Sequence, residues 1–580
     1  MNTPLLSGSR PRGARLAVLL GLSLAGSVFV PGSMAVAQDP GAVAPSSFAP
    51  TNLGAADAAD RVEVNLVLAE RDPAASKAFL AAINDPASPD YRHFLTAAES
   101  GARFGPTDET IARITAALGA AGLDVVSMPP QRTRLVVGGT AADVGSFLGL
   151  SIDSYQDPRT GVVYHASASD AVVPPALQDV VLGVTGLSRY LPVSAIDAAD
   201  APPPPARGLK PADLAKAYDF QSLWDQGIDG TGTTVAILQF GVDTDEDLAV
   251  FDATFGINGP KPERKSVNGG MLDAPKDFGT EATLDTQVLR AVAPGAQILV
   301  YGFPAATTFG AAIDAIVADG RAQIVSASYG KCYAPGYVGL DEVVEAQASL
   351  EKAAIAGVTL FAASGDWGAF SCHAFDKTDG QVSTFFPSCT DNAVSVGGTL
   401  LEVRTDGSYL RETGWEDYLT TSGTGGGEDL VTGPDGLLEP LPAFQQGVDG
   451  IDQAGGRQCP DVAAAADSDT GYLLFYTDPE TGEADWKMVG GTSASAPFWA
   501  GVMALVQQQA QAAGIDKLGF LAPVLYQVAK THPEAFHDVT RGGNLVDSAG
   551  VGWDRATGLG SPDVAVLSQA IIEALGGTTN

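Results

Sequence analysis

From about residue 208 to the C-terminus, short β-rich apolar runs alternate with stretches of helical period, and this alternation limits the possible folds most tightly. Residues 232–240 (GTTVAILQF), 296–301, 322–328 and 358–363 read as strands; 283–292, 308–318 and Leu340–Ile355 read as helices between them. Parallel strands need long crossover connections, and helical crossovers cover both sheet faces, so the pattern predicts an α/β fold with a parallel sheet flanked by helices. Of the 580 residues 45% are hydrophobic and 17% charged, enough apolar side chains for a packed core and too many for a disordered acidic polymer. The formal charge of −35, with no basic patch, excludes a nucleic-acid binder. The length calls for more than one domain.

A smaller α+β unit precedes the sheet. Residues 62–68 alternate as a strand and 133–137 form another; 73–83, 108–123 and Ala141–Leu148 have the helical pattern. Residues 38–54 are rich in small residues and read as flexible. Pro202-Pro203-Pro204-Pro205 favours an extended linker open to proteolysis.

The N-terminus reads as a signal peptide over residues 1–37: Arg10, Arg12 and Arg15, an apolar run over 16–30, then the small-x-small site Ala35-Val36-Ala37. That run is too short for a membrane span of ~20 residues, and no later apolar stretch is long enough, so no membrane partner is expected. The expected location is extracellular, with the periplasm as the alternative. Export permits disulfides among Cys332, Cys372, Cys389 and Cys459. Four cysteines allow three connectivities; Cys372–Cys389, which flank a Gly/Asp-containing loop, is the favoured pair. None stands in a zinc-ligand spacing.

Three segments can carry chemistry. Gly490-Gly491-Thr492-Ser493-Ala494-Ser495-Ala496-Pro497 leads into a helical pattern over 498–512, with Pro497 placed in the first turn. A serine there stands beside free backbone N–H groups, which suits a nucleophile whose attack creates an oxyanion. A plain N-cap is the simpler reading of Thr-Ser alone. The nucleophile needs a base. His373, His532 and His537 lie in no His-Gly-Thr segment and read as structural. Glu281 and Asp285, four apart at a helix start, share a face, and their proximity raises one carboxyl pKa, as a general base near working pH requires. Asp366, in Ala363-Ser364-Gly365-Asp366-Trp367-Gly368, lies just past a strand's carboxyl end, where open α/β sheets bind ligands. The glycines over 423–427 lack the Lys-Ser/Thr ending of a phosphate loop and read as a flexible loop near the cleft.

Glu281 with Asp285, Ser364-Gly365-Asp366 and Gly491-Thr492-Ser493-Ala494, in this order, resemble the sedolisins, the serine-carboxyl peptidases of the kumamolisin and tripeptidyl-peptidase type. Tyr91-Arg92-His93-Phe94-Leu95-Thr96 and Phe104-Gly105-Pro106 resemble the family's activation prodomain, and Val325-Ser326-Ala327-Ser328-Tyr329-Gly330 its substrate-pairing edge. The resemblance implies a subtilisin-like catalytic domain over 208–580, a prodomain over 38–190 that inhibits in cis, and a linker over 191–207. It implies a monomeric, acid-active endopeptidase acting on proteins or peptides. Ser493 would be the nucleophile, Glu281 its base, Asp285 the partner that orients Glu281 and shares its proton, and Asp366 part of the oxyanion hole. It also implies one calcium ion held by Asp538, the carbonyls of Val539, Gly550 and Gly552, and Asp554, a set of hard oxygen donors. Gln239 and Tyr329 stand where members with an extended acid network carry Glu and Trp, which implies a shorter proton relay. Trp367 replaces the usual Ser after the oxyanion Asp. Two rivals are a His-dependent subtilisin-type protease, disfavoured by the missing His-Gly motif, and a silent secreted binding protein, disfavoured by the retained acid-serine set.

Overall fold

The sheet expected from the alternation is built from strands whose side chains are buried on both faces. Val235, Ala236, Ile237 and Leu238 are all inaccessible, as in a strand covered on each side by helices. In the computed structural model, residues 49–159, 161–194, 197–198, 208–270, 279–334, 336–429 and 440–578 are described. The signal peptide read over 1–37 and the four prolines of 202–205 lie outside them.

The main sheet has eight strands. Its path runs Glu263–Ser266, Gln297–Gly302, Thr234–Gln239, Ile324–Ala327, Thr359–Ala363, Ala393–Val403 and Tyr409–Gly414, and Val462–Ala465 also pairs with Ala393–Val403. All pairings are parallel except the edge hairpin of Ala393–Val403 with Tyr409–Gly414. Thr234–Gln239 lies between strands that follow it in sequence, so the winding reverses there, and the crevice of such a sheet opens at the strands' carboxyl ends. Gln239, Ser328 and Ser364 all stand at those ends.

Two helices form the centre. Gly279–Val292 and Thr492–Ala512 pack on each other, and almost every residue of the first and of the first four turns of the second is buried. A helix covered all round belongs to the interior of a large domain. Gly501 permits the contact, because a Cβ there would stand 2.8 Å from the Val292 side chain.

The smaller unit carries a four-stranded antiparallel sheet in the order Asp124–Ser127, Arg134–Thr140, Arg61–Leu68, Val181–Thr185. Its helix Ala141–Leu148 matches the sequence reading residue for residue: Thr140 caps the start by accepting from Asp143 N at 3.1 Å, and Gly149 ends it at φ 67°. This unit docks on the helices Phe309–Asp319 and Leu340–Ile355 through buried polar contacts. Arg134 pairs with Asp314 and faces Glu345, Thr185 Oγ1 donates to Glu345 at 2.7 Å, and Val184 N donates to Asp341 at 2.9 Å.

The cysteine pairing differs from the expectation. The bonds are Cys332–Cys372 and Cys389–Cys459, with Cα separations of 4.7 and 5.8 Å. Cys332 lies on the strand Tyr329–Tyr333, which packs against the turn Ser371–Ala374 holding Cys372. Spatial packing across the sheet, and not nearness along the chain, selects the partners.

Candidate active site

From Thr492 onward the segment around Ser493 is already helical. The helix begins at Thr492, so Ser493 sits in its first turn and Pro497 in its second, one turn later than the sequence reading placed that proline. The displacement has a chemical consequence. Pro497 has no N–H to give the Ser493 carbonyl four residues back, and that carbonyl stands 3.2 Å from the Ser328 hydroxyl, which can donate to it. Before the helix, Gly491 at φ 91° turns the chain out of the strand Ala484–Gly490; a Cβ on Gly490 would meet Ala466 O at 1.9 Å.

Ser493 is inaccessible, and its Oγ lies 3.3 Å from the carbonyl of Ser328. Ser328 Oγ lies 2.6 Å from Asp285 Oδ1. Ser328 therefore joins the second turn of Gly279–Val292 to the first turn of Thr492–Ala512, a role the sequence reading did not assign. Its position in the edge motif beside Tyr329 was the available signal.

Glu281 and Asp285 are both buried on one face of Gly279–Val292. Neither Glu281 oxygen completes a hydrogen bond of normal geometry, yet the Ser493 and Ser328 hydroxyls stand close enough to favour its charged form. Burial above all, and then the charge of Asp285, push the Glu281 carboxyl well above the usual range. Burial also drives Asp285 upward, against the hydrogen bonds from Ser328 and Gln239. Gln239 Nε2 donates to Asp285 Oδ2, and the Tyr329 hydroxyl donates to Gln239 Oε1 at 2.7 Å. Gln239 and Tyr329 thus extend the hydrogen-bonded chain behind Asp285, with an amide next to the acid.

Asp366 lies against the helix start from the other side. Its Oδ1 accepts from Thr492 N and Thr492 Oγ1, each at 2.8 Å, and Gly365 N donates to Thr492 Oγ1 at 3.0 Å. Gly365 takes φ 101°, which a side chain would resist. The glycines over 423–427, expected as a flexible loop, are buried and clamp this turn: Gly425 N donates to Gly365 O at 2.7 Å, and a Cβ at 425 would meet Ser364 O at 1.9 Å. Their smallness serves close backbone approach.

The histidines lie elsewhere. His537 stacks on Tyr409 with ring centroids 4.1 Å apart, His532 faces Glu534 and Glu573, and His373 lies in the turn Ser371–Ala374. Among the described residues no histidine hydrogen-bonds Ser493.

At the C-terminal loop, Asp538 accepts from Gly552 N at 3.1 Å, and Asp554 accepts from Gly550 N at 2.9 Å. Both carboxylates are gathered on the 550–552 stretch. Among the described residues no group of three or more His, Cys, Asp or Glu side chains could hold a metal ion, so a cation here would depend on backbone carbonyls besides the two acids. Val539 is buried beside Asp538.

Two family models match: Pro-kumamolisin, activation domain, over residues 50–190, and the subtilase family over 274–518. Sedolisin from Pseudomonas sp. (strain 101) is 29% identical over 95% of this chain and 94% of its own. Kumamolisin from Bacillus sp. (strain MN-32) is 36% identical over 62% of this chain and 63% of its own. The solved structure of Pseudomonas sedolisin, a serine-carboxyl proteinase complexed with two molecules of pseudo-iodotyrostatin, superposes with a TM-score of 0.54 at 29% identity, covering 62% of this chain and 97% of that one. The chain is therefore a serine-type peptidase with a Pro-kumamolisin activation domain ahead of a peptidase domain of the subtilase fold, and sedolisin and kumamolisin are among its homologues.

Proposed function

We propose that the protein is a secreted, acid-active endopeptidase in which Ser493 attacks the peptide carbonyl. Glu281 takes the hydroxyl proton and returns it to the leaving amine, Asp285 orients Glu281 and shares a proton with it, and Asp366 with the Ser493 N–H stabilises the oxyanion. The observation that carries this reading is the convergence of Glu281, Asp285 and Ser493 on Ser328 in a buried site without histidine. The leader spans 1–37, the prodomain 38–190, the linker 191–207 and the peptidase domain 208–580, and the mature enzyme is a monomer.

Asp366 can donate to an oxyanion only when protonated. Activity is therefore expected to fall as pH rises through its ionisation, and Asp366→Ala is expected to lower kcat by about 10²–10³-fold. A pH–rate profile of protein hydrolysis checks this; a maximum at neutral or alkaline pH contradicts it.

Calcium fits the C-terminal loop through the carboxylates of Asp538 and Asp554 and the carbonyls of Val539, Gly550 and Gly552, as a hard cation bound by oxygens. The ion would tie the loop to the strand end at Phe536–His537. Chelation is expected to lower the melting temperature of the mature enzyme, by a free energy of about 2.7 kcal/mol where calcium had been a hundred times its Kd. An unchanged melting temperature contradicts the site.

The prodomain contact gives a further expectation. Arg134→Met leaves Asp314 and Glu345 buried without their cation, and is expected to weaken docking by about 3–5 kcal/mol. Urea melts of the uncut Ser493→Ala precursor, with and without the second substitution, measure it; coincident curves contradict the role given to Arg134.

A further inference from the structure

The Ser328 hydroxyl has more acceptors than hydrogens. Its Oγ stands 2.6 Å from Asp285 Oδ1 and 3.2 Å from the Ser493 carbonyl, and all three residues are inaccessible. A hydroxyl carries one hydrogen, so it can donate to only one of these oxygens at a time. The other contact is a hydrogen bond only if the oxygen on that side brings a hydrogen of its own. The carbonyl has none to bring. Asp285 has one when it is protonated.

Gln239 decides which carboxyl oxygen holds that proton. Its Oε1 accepts from the Tyr329 hydroxyl at 2.7 Å, so its Nε2 faces Asp285 Oδ2 and donates to it. An amide N–H cannot accept, so Oδ2 is an acceptor in either ionisation state, and the proton of a neutral Asp285 sits on Oδ1, toward Ser328. The Ser493 carbonyl, for its part, needs a donor, because Pro497 one helical turn on has no N–H to give it. That carbonyl belongs to the turn that carries Ser493 Oγ, which itself donates to the Ser328 carbonyl at 3.3 Å, so the two serines are tied in both directions.

We propose that Ser328 is a positioning residue that couples the proton on Asp285 to the helical turn carrying Ser493. With Asp285 neutral, its Oδ1–H donates to Ser328 Oγ, and the Ser328 hydroxyl donates to the Ser493 carbonyl. With Asp285 ionised, Ser328 turns its hydrogen to Oδ1 and the carbonyl loses this donor. Pro497 is the other half of the arrangement, since a residue with an N–H there would hold the carbonyl whatever Asp285 did. The acids facing this pair are Glu281 on the same helix, Asp243 beyond Asp285, and Asp366 beside Glu281. Asp243 is itself paired with Arg264 at 2.7 and 2.9 Å. The negative charges of Glu281 and Asp243 favour the proton staying on Asp285. The effect on rate rests on the reading of Ser493 as nucleophile; the coupling itself does not.

A double-mutant cycle between Ser328→Ala and Pro497→Ala tests the proposal in two ways. In the uncut Ser493→Ala precursor, which keeps the carbonyl at 493, urea melts measure the coupling apart from catalysis. At pH 4 the damage done by Ser328→Ala is expected to be about tenfold smaller in the folding equilibrium constant when alanine at 497 supplies the missing N–H. The coupling is expected to fade as pH rises to 9. It is expected to stay level in Asp285→Asn, where the amide oxygen accepts from Gln239 and the NH2 faces Ser328, which fixes the neutral arrangement. No coupling at pH 4, a coupling level to pH 9 with Asp285 in place, or one that fades equally in Asp285→Asn overturns the proposal. In the active enzyme at pH 4, Ser328→Ala is expected to lower kcat about tenfold with KM within about twofold, and Pro497→Ala to restore most of the loss. A native kcat in folded Ser328→Ala, or no restoration, overturns the positioning role. Proteolysis that survives Ser493→Ala would instead sink the catalytic reading, while the coupling measured in the precursor would still stand.

Discussion

Replacing Ser493 by alanine is expected to lower kcat/KM for peptide hydrolysis by about 10⁴–10⁶-fold and to leave the precursor in one piece. The loss is large because the hydroxyl is the atom that becomes covalent, while the oxyanion donors that remain supply only the residual rate over water. The substitution is also mild structurally. The Ser493 side chain makes one long hydrogen bond to Ser328 O, and the helix start is held by Asp366 and Thr492, which the change does not touch. Activity on a denatured protein substrate, together with a circular-dichroism melt, separates lost chemistry from lost fold. Proteolysis at a rate near that of the unaltered enzyme, in a folded variant, contradicts the assignment of Ser493.

The second large effect is expected at Asp285. Asparagine has nearly the same shape and can keep the contacts to Gln239 and Ser328, but it cannot share a proton with Glu281. A drop of about 10²–10⁴-fold in kcat/KM is expected, of the size associated with losing a positioned acid or base. Loss of the Asp285 charge removes one of the causes that hold the Glu281 carboxyl high, so the acid limb of the pH profile should move to lower pH. Stability changes in a defined direction. In the unfolded chain these carboxyls ionise near pH 4, whereas in the fold both are pushed well above that. Between the two pH values the folded state binds more protons, so stability falls as pH rises through that window. Asp285→Asn should therefore raise the melting temperature relative to the native sequence at pH 7 and lose that advantage near pH 4. An equal difference at both pH values contradicts the burial of a titrating pair.

Much of the fold was legible because its signals are local. The helices Ala141–Leu148 and Leu340–Ile355 carry their periodicity in sequence, the first also its caps Thr140 and Gly149, and the buried strands announce themselves as apolar runs. The site was legible as far as it follows from motif and spacing: Glu281 and Asp285 are one helical turn apart, and Ser493 follows a glycine pair before a helix. What was missed depends on distant segments meeting. The Cys332–Cys372 bond joins residues that only the packing of the strand Tyr329–Tyr333 on a turn brings together. The helix start at Thr492 depends on Asp366, 126 positions away, accepting its first N–H. The 423–427 glycines read as mobile because glycine is permissive in isolation, while in the fold they allow backbones to touch. Ser328 looked like part of a pairing edge, and only the crossing of two helices beside it makes it a junction.

The account's central claim is that a carboxylate, not an imidazole, takes the proton from the attacking hydroxyl. Acylation of Ser493 in a single turnover, followed by acid-quench mass spectrometry from pH 3 to 7, tests it most directly when the folded Glu281→Gln variant is compared with the native enzyme. The expected result is acyl-enzyme forming rapidly at acid pH in the native protein and at least about 10³-fold more slowly in the variant at every pH. Acyl-enzyme forming in the variant at the native rate would contradict the claim.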